Sequence, residues 1–530
     1  MPDPALSRRF PSSGRPLRRA GLLLAGLALL APVPASAVAP GPVGNVALFN
    51  PELQEPASDA FGQSIASGDF NDDGIADLAV ADRAHSGLVR IYYGTDWEIG
   101  APSGPPFLME TVTVPTVPGT SGGLPTVLAA GDFGHDASDD DDLVVGVPGD
   151  SLSANHAGAV FVLDRAPGGG WSVIDVIRQG FEGYVGISEA DDQFGAALAV
   201  GDFDVNGAVD LAIGIPGETT QGEASAGAVM VVPQGVAGLY PDDASVFYRG
   251  FNGLTGVPEA GEQIGYALAP GDFDGDDATD LAIGIPGASC AGFANSGSVM
   301  VLRSQGFLVG LGAAGVSYWS QAQAGMAGGC ETGDRFGSSL AAGYFDPTPL
   351  GDPPTQDLAI GVPGEEVQDV PFAGAVALVY GSAGGLVAEG NQLLTEADFP
   401  GGALEAAAFG VRLASGRLTG SPLSGDALVV TSPLASEGGL ALAGRAWYIP
   451  AGSGGLAPAR ARRLWLSPAM AAGPAAANDA FGAQLAIGDF NGDSDLDIAF
   501  GVPGNDAVAA DSGAVQVVYQ SDFLFVDGFD

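Results

Sequence analysis

The stretch Gly271–Gly287, GDFDGDDATDLAIGIPG, decides how the rest of the chain is read. Asp272, Asp274, Asp276 and Asp280 stand at positions 1, 3, 5 and 9 of a tight loop, and an apolar run, Leu281–Ile285, stops at Pro286-Gly287. A short β-branched run closed by Pro-Gly reads as a buried β-strand. Carboxylates crowded into such a turn repel one another strongly unless a cation sits among them. Oxygen donors at this spacing suit Ca²⁺, which takes roughly 6–8 of them, and the carbonyl of Ala278 at position 7 adds one more. Mg²⁺ fits less well because it demands strict octahedral geometry, and no His/Cys constellation suggests zinc.

The same spacing recurs in Asp69-Asn71-Asp73-Asp77, Asp202-Asp204-Asn206-Asp210 and Asp489-Asn491-Asp493-Asp497, with seventh-position carbonyls from Ile75, Ala208 and Asp495. Four calcium sites are therefore expected. A glycine follows the third ligand in two loops (Gly74, Gly207), where a sharp turn suits positive φ; Asp277 and Ser494 replace it in the others. An EF-hand is excluded, because position 12 is Val80, Ile213, Ile283 or Phe500 inside a β run and not a glutamate before a helix. A weaker fifth site is expected around Asp132, Asp136 and Asp142, where the run Asp139–Asp142 lengthens the loop. Two further loops, with Tyr344 and Pro347 or with Arg417, have lost the donor set.

The loop belongs to a larger unit: a Phe-Gly, a short alternating strand, Gly-Asp-Phe with the acidic loop, an Asp-Leu-Ala-Ile/Val-Gly-Val/Ile-Pro strand, and a Gly-Ala-Val strand. Phe61-Gly62, Phe194-Gly195, Ile264-Gly265, Phe336-Gly337, Phe409-Gly410 and Phe481-Gly482 start six units, and Gly131-Asp132-Phe133 locates the second in order. Seven units at a spacing of roughly 70 residues lie in the range of propeller or solenoid arrays. Room for an outer strand follows each third strand, with candidates at 107–114, 171–178, 244–249, 316–320 and 463–466. Four strands repeated seven times predict an all-β fold, a seven-bladed β-propeller. The last unit lacks its outer strand, and the apolar Asn45–Asn50 precedes the first Phe-Gly, so these two are expected to pair and close the ring. The Ala-rich stretch Ala403–Leu413 is the one segment with helical periodicity, and it contains a repeat Phe-Gly.

Composition agrees. Gly (84) and Pro (38) are abundant, yet 46% of the chain is hydrophobic, so these residues mark turns between strands and not disorder. Residues 1–37 combine five arginines, an apolar segment (Ala20–Val33) and Ala35-Ser36-Ala37, the pattern of a secretory signal peptide. A linker is expected at 38–44, the propeller at 45–520 and a short acidic, aromatic tail at 521–530. Ordinary secretion is favoured over twin-arginine export, since Pro11 interrupts the Arg8-Arg9 context. Those 37 residues hold five of the 18 basic residues and one of the 63 acids, leaving 13 arginines against 62 acids. So acidic a chain is a poor partner for nucleic acid or an anionic membrane surface. The two cysteines, Cys290 and Cys330, form an even pair, which in an exported protein favours a disulfide over two buried thiols. Strand alternation puts both on one face, within reach of each other.

Phe-Gly, an acidic hairpin and Gly-x-Pro, seven times over, resemble the FG-GAP repeats of the integrin α-chain head, across about residues 45–520. The resemblance implies calcium in the four loops above, on the face opposite the ligand-binding face, and an N-terminal closing strand. The chain looks more like the standalone secreted forms of bacteria than an integrin, since no inserted domain, leg or membrane anchor is read in the sequence. The function expected is a secreted, monomeric, calcium-stabilised recognition scaffold for protein or glycan. Its ligands would meet the loops around His85, Asp150–His156, Glu218–Ala226, Ser289–Asn295 and Glu365–Phe372. The alternative is a propeller enzyme acting on polysaccharide or phosphodiester substrates. The three histidines, His85, His135 and His156, are not clustered with a nucleophile, and Gly119–Gly123 matches G-x-S-x-G without the strand-turn-helix context.

Overall fold

A computed structural model describes residues 39–520 except 41–44, 50–59, 83–86, 96–108, 116–125, 135–139, 347–353, 419–424 and scattered positions (152, 167, 236–237, 308, 403–404, 453, 468–469, 509–510). The predicted signal segment, most of the linker and the tail lie outside these residues.

Seven antiparallel sheets follow one another in sequence, each ordered from the inside out. The second strands carry the Asp-Leu-Ala-Ile-Gly pattern: Asp77–Asp82, Asp142–Val147, Asp210–Ile215, Asp280–Ile285, Asp357–Val362, Ala427–Ser432 and Asp497–Val502. Each is buried at every residue. That is why they read as continuous apolar runs and do not alternate: sheets of the neighbouring blades cover both faces. Each pairs with an innermost strand, such as Ala267–Gly271 in blade 4, and with a third strand, such as Ser298–Ser304. The outer strands are Met109–Thr113, Trp171–Ile177, Ser245–Phe247, Leu311–Trp319, Val387–Leu394 and Arg462–Leu464. Two differ from the sequence expectation. The blade 4 strand begins five residues earlier and carries a bulge opposite Val301–Arg303, and the blade 5 strand, VAEGNQLL, was not anticipated. Outer strands have one solvated edge and weak alternation, so their limits are poorly encoded locally. Residues 405–412 form no helix.

The ring is closed. Val46, Ala47 and Leu48 pair with Val517, Gln516 and Val515 and supply the fourth strand of blade 7; Ala39–Pro40, in the stretch expected as linker, pairs outside it. Gln516 is buried, and its amide donates to Asn45 Oδ1 and the Val46 carbonyl. Seven apolar clusters fill the interfaces between consecutive blades, and the seventh joins Val515 and Phe490 of the last blade to Phe61, Leu78 and Tyr92 of the first. A linear array of seven sheets would have six.

The repeat motifs are the staples of this ring. The glycine opening the third strand of blades 2 to 7 forms a parallel bridge to the Phe-Gly phenylalanine (or Ile264) of the next blade, from Gly158↔Phe194 through to Gly513↔Phe61. A Cβ at Gly227 would lie 2.3 Å from the Ile264 nitrogen, and its φ is +81°. Glycine is required there on both counts. No helix among the described residues is long and apolar enough to cross a membrane.

Candidate metal centres

The acidic loops join innermost to second strands, so all of them lie on one face of the ring. Four are wound alike. The first aspartate accepts backbone N–H groups from positions 5 and 6: Asp202 from Asn206 (3.0 Å) and Gly207 (3.0 Å), Asp272 from Asp276 (3.3 Å) and Asp277 (3.0 Å), with Asp69 and Asp489 doing the same. The fifth side chain accepts from position 7, for example Asn206 from Ala208 at 2.7 Å and Asp493 from Asp495 at 2.9 Å. Positions 4 and 6 are left-handed in all four: Asp72 and Gly74, Val205 and Gly207, Gly275 and Asp277, Gly492 and Ser494. The glycine absent at position 6 in blades 4 and 7 has therefore moved to position 4.

Position 9 does more than the sequence disclosed. Asp210 Oδ2 accepts the N–H of Phe203 (2.9 Å) and Oδ1 that of Gln234 (2.8 Å), tying the loop's buried phenylalanine to the end of the third strand. Asp77, Asp280 and Asp497 make the same pair of bonds. So does Asp357 of blade 5, whose loop has lost its donors. The ninth aspartate is thus a structural bracket independent of metal. Burial pushes these carboxyls up, Asp77 and Asp497 to about 8 and Asp210 and Asp280 to about 7, opposed by the backbone N–H groups and aided by the loop carboxylates.

Among the described residues, Asp202, Asp204 and Asp210 bring carboxylate oxygens within 4.8 Å of one another, as do Asp272, Asp274 and Asp276. Asp274 is buried, and its Oδ1 has no hydrogen-bond partner. Its other oxygen meets the Arg303 guanidinium. In blades 1 and 7 an asparagine, Asn71 or Asn491, replaces the second carboxylate. A hard divalent cation fits this chemistry: clustered oxygen donors with excess negative charge and a buried acceptor left unsatisfied. In blade 2 Asp132 Oδ1 accepts the Gly134 N–H and Asp142 brackets Phe133; Asp136 lies outside the described residues.

The loops are also tied across blades. Asp69 exchanges two bonds with Asp141 of blade 2, Asp272 with Gln356 of blade 5, and Asp489 accepts from Ala76 of blade 1. The residue before position 9 links each of these loops to the blade behind it.

The chain matches the FG-GAP repeat model at residues 61–92, 194–232, 264–302 and 481–518. Four of its seven blades are FG-GAP repeats. They are blades 1, 3, 4 and 7, the same four that keep the full acidic loop. No curated protein matches the sequence. Solved structures similar to this one include a protein from Lactobacillus plantarum, at 15% identity over 76% of this chain and 84% of that one (TM-score 0.38). Another is Sqt1 from Chaetomium thermophilum, at 11% identity over 88% and 97% (TM-score 0.42).

The face opposite the FG-GAP acidic loops is built from second-to-third and fourth-to-first connections. Cys290 and Cys330 are bonded there, with Cα atoms 6.0 Å apart, joining a blade 4 loop to the segment entering blade 5. His156 pairs with Asp191 (3.1 Å), while the Ser151 hydroxyl accepts from the His156 backbone and donates to the Gly149 carbonyl, so serine and imidazole are not in relay. Glu218 and Glu365 accept from Gln179 and Gln321, and burial pushes both up to about 7. Ile187, Val257, Phe293 and Phe372 are exposed apolar side chains on these connections. His85, His135 and Gly119–Gly123 lie outside the described residues.

Proposed function

We propose that this protein is a secreted, calcium-stabilised recognition scaffold for an extracellular protein or glycan. The observation that carries the reading is the coincidence of FG-GAP blades with identically wound oxygen-donor loops, two of them bringing three carboxylates together. Ca²⁺ would be held by Asp69, Asn71, Asp73 and Asp77, by the equivalent residues of blades 3, 4 and 7, and by the carbonyls of Ile75, Ala208, Ala278 and Asp495. Its role is to cancel carboxylate repulsion and stiffen loops that are bonded to the next blade. The signal-like residues 1–37 and the disulfide support export to an oxidising compartment. Apolar side chains displayed on the far face support recognition there. The test is metal analysis with thermal melting of protein purified without chelator. About four calcium ions per chain are expected, with a melting temperature that falls in EGTA and recovers with added Ca²⁺. Absence of bound calcium, or a melt indifferent to it, overturns the reading.

A further inference from the structure

On the face away from the acidic loops, where the innermost strands of blades 4–6 begin, a cavity of about 300 Å³ is lined by Tyr266, Arg335, Ser338, Phe372 and Arg412. Its two cations depart from the repeat. The residue before Phe-Gly is alanine or glutamine in the other blades (Ala60, Gln193, Gln263, Ala408, Ala480), and the residue two beyond it is Ser, Ala or Gln (Ser64, Ala197, Ala267, Ser339, Gln484). Only Arg335 and Arg412 bring charge to these positions, and they bring it to one cavity.

Neither arginine has a counter-ion among the described residues, although the chain holds 63 acids and Arg90, Arg178, Arg249 and Arg445 each meet a carboxylate. Arg412 donates Nε to Gln484 Oε1 (3.2 Å) and Nη1 to the Val411 carbonyl (3.0 Å), both neutral acceptors. Its burial pushes the guanidinium pKa down, with no carboxylate present to offset the cost. The Arg335 guanidinium lies 5.7 Å from the Tyr266 ring centroid. Phe372, 60% exposed, completes an aromatic rim. A partly buried, uncompensated guanidinium is unfavourable in the free protein. An incoming carboxylate would relieve it through charge-assisted, forked hydrogen bonds.

We propose that this cavity binds a single carboxylate-bearing sugar, a uronate at the end of an otherwise neutral glycan. Arg335 and Arg412 would hold the carboxylate and the rings of Tyr266 and Phe372 the sugar face. The volume suits one ring. The strongly negative charge of the whole chain disfavours polyanions and dianionic phosphate, so a lone monoanion is the ligand the local cations can capture. The inference rests on the recognition reading above and names its ligand class.

Ligand-observed NMR on the full chain in calcium would use methyl glucuronoside, methyl glucoside and N-acetylaspartate as probes. Saturation transfer is expected to the glucuronoside alone, and at least tenfold weaker binding in Arg412→Met and in Arg335→Gln. Arg412→Met is further expected to hold or raise the melting temperature, because it removes an unpaired charge. Equal binding of the glucoside would overturn carboxylate recognition, and equal binding of N-acetylaspartate would transfer the site to acidic peptides. Binding that survives both variants would place any uronate site elsewhere. Calcium stoichiometry on the same samples separates the failures: normal calcium without glucuronoside binding sinks only this site, whereas absent calcium sinks the scaffold reading.

Discussion

Val205 occupies position 4 of the blade 3 loop at φ +59°, a conformation that costs a β-branched residue about 1–2 kcal/mol, while the glycine of blades 4 and 7 stands in the same place without strain. Its side chain is 36% exposed, so little packing is lost on replacement. Val205→Asn should therefore stabilise the protein by about 1 kcal/mol, read as a higher urea midpoint at unchanged slope. The opposite holds at Gly227, where a methyl group would be forced against the Ile264 backbone at positive φ. Gly227→Ala should cost on the order of 3 kcal/mol by the same assay. Such residues were only half legible in the sequence. The acidic spacing showed the loop, but which of its positions turn left-handed is a property of the folded backbone.

At the scale of the loop and its strands, two aspartates that look alike do different work. Asp276 stands among the clustered donors of blade 4, whereas Asp357 brackets a loop that has lost the 1, 3, 5, 9 donor set. Asp276→Ala should remove the stabilisation of one calcium site, about 2–3 kcal/mol at a hundredfold excess over Kd, and have a much smaller effect in EGTA, where relief of carboxylate repulsion opposes loss of the Ala278 N–H bond. Asp357→Ala should cost about 1–3 kcal/mol for each backbone N–H it orphans, equally with and without calcium. Thermal melts of both variants in the two buffers check this. On the far face, burial raises Glu365 to about 7, helped by Asp334 and Glu331 and opposed by the Gln321 amide. A carboxyl raised in the folded state binds more protons there than when unfolded, so its stabilisation is complete below pH 4.5 and is lost as pH rises through 7. Glu365→Gln should accordingly melt higher than the parent at pH 8, by about 1 kcal/mol, and match it at pH 4.5. A pH series of melts at fixed calcium reads the difference.

For the whole ring, stability depends on closure. The strand Val46–Leu48 covers an edge that Ala514–Val518 would otherwise present to solvent, and seven apolar interfaces replace the six of an open array. Removal of residues 1–49 should leave the seven blades packed on one another but expose that edge. The expected result is concentration-dependent association in sedimentation, with protease cleavage starting at blades 1 and 7. If the truncated chain stays monomeric and resists protease like the parent, the velcro strand is dispensable.

The seven-fold repeat, the all-β class and the closing strand could be read from the chain itself, because each repeat writes its buried strand as an uninterrupted apolar run and its turns as glycine, proline and aspartate. The acidic spacing was equally local, since all the donors fall within one nine-residue turn. Only the tertiary structure decided what crosses between blades: the glycine-to-phenylalanine bridges, the bonds from the acidic loops of blades 1, 4 and 7 to the residue before the next blade's ninth aspartate, and the meeting of Arg335 with Arg412. Those pairs join different repeats of the chain, and nothing short of the ring geometry brings them together.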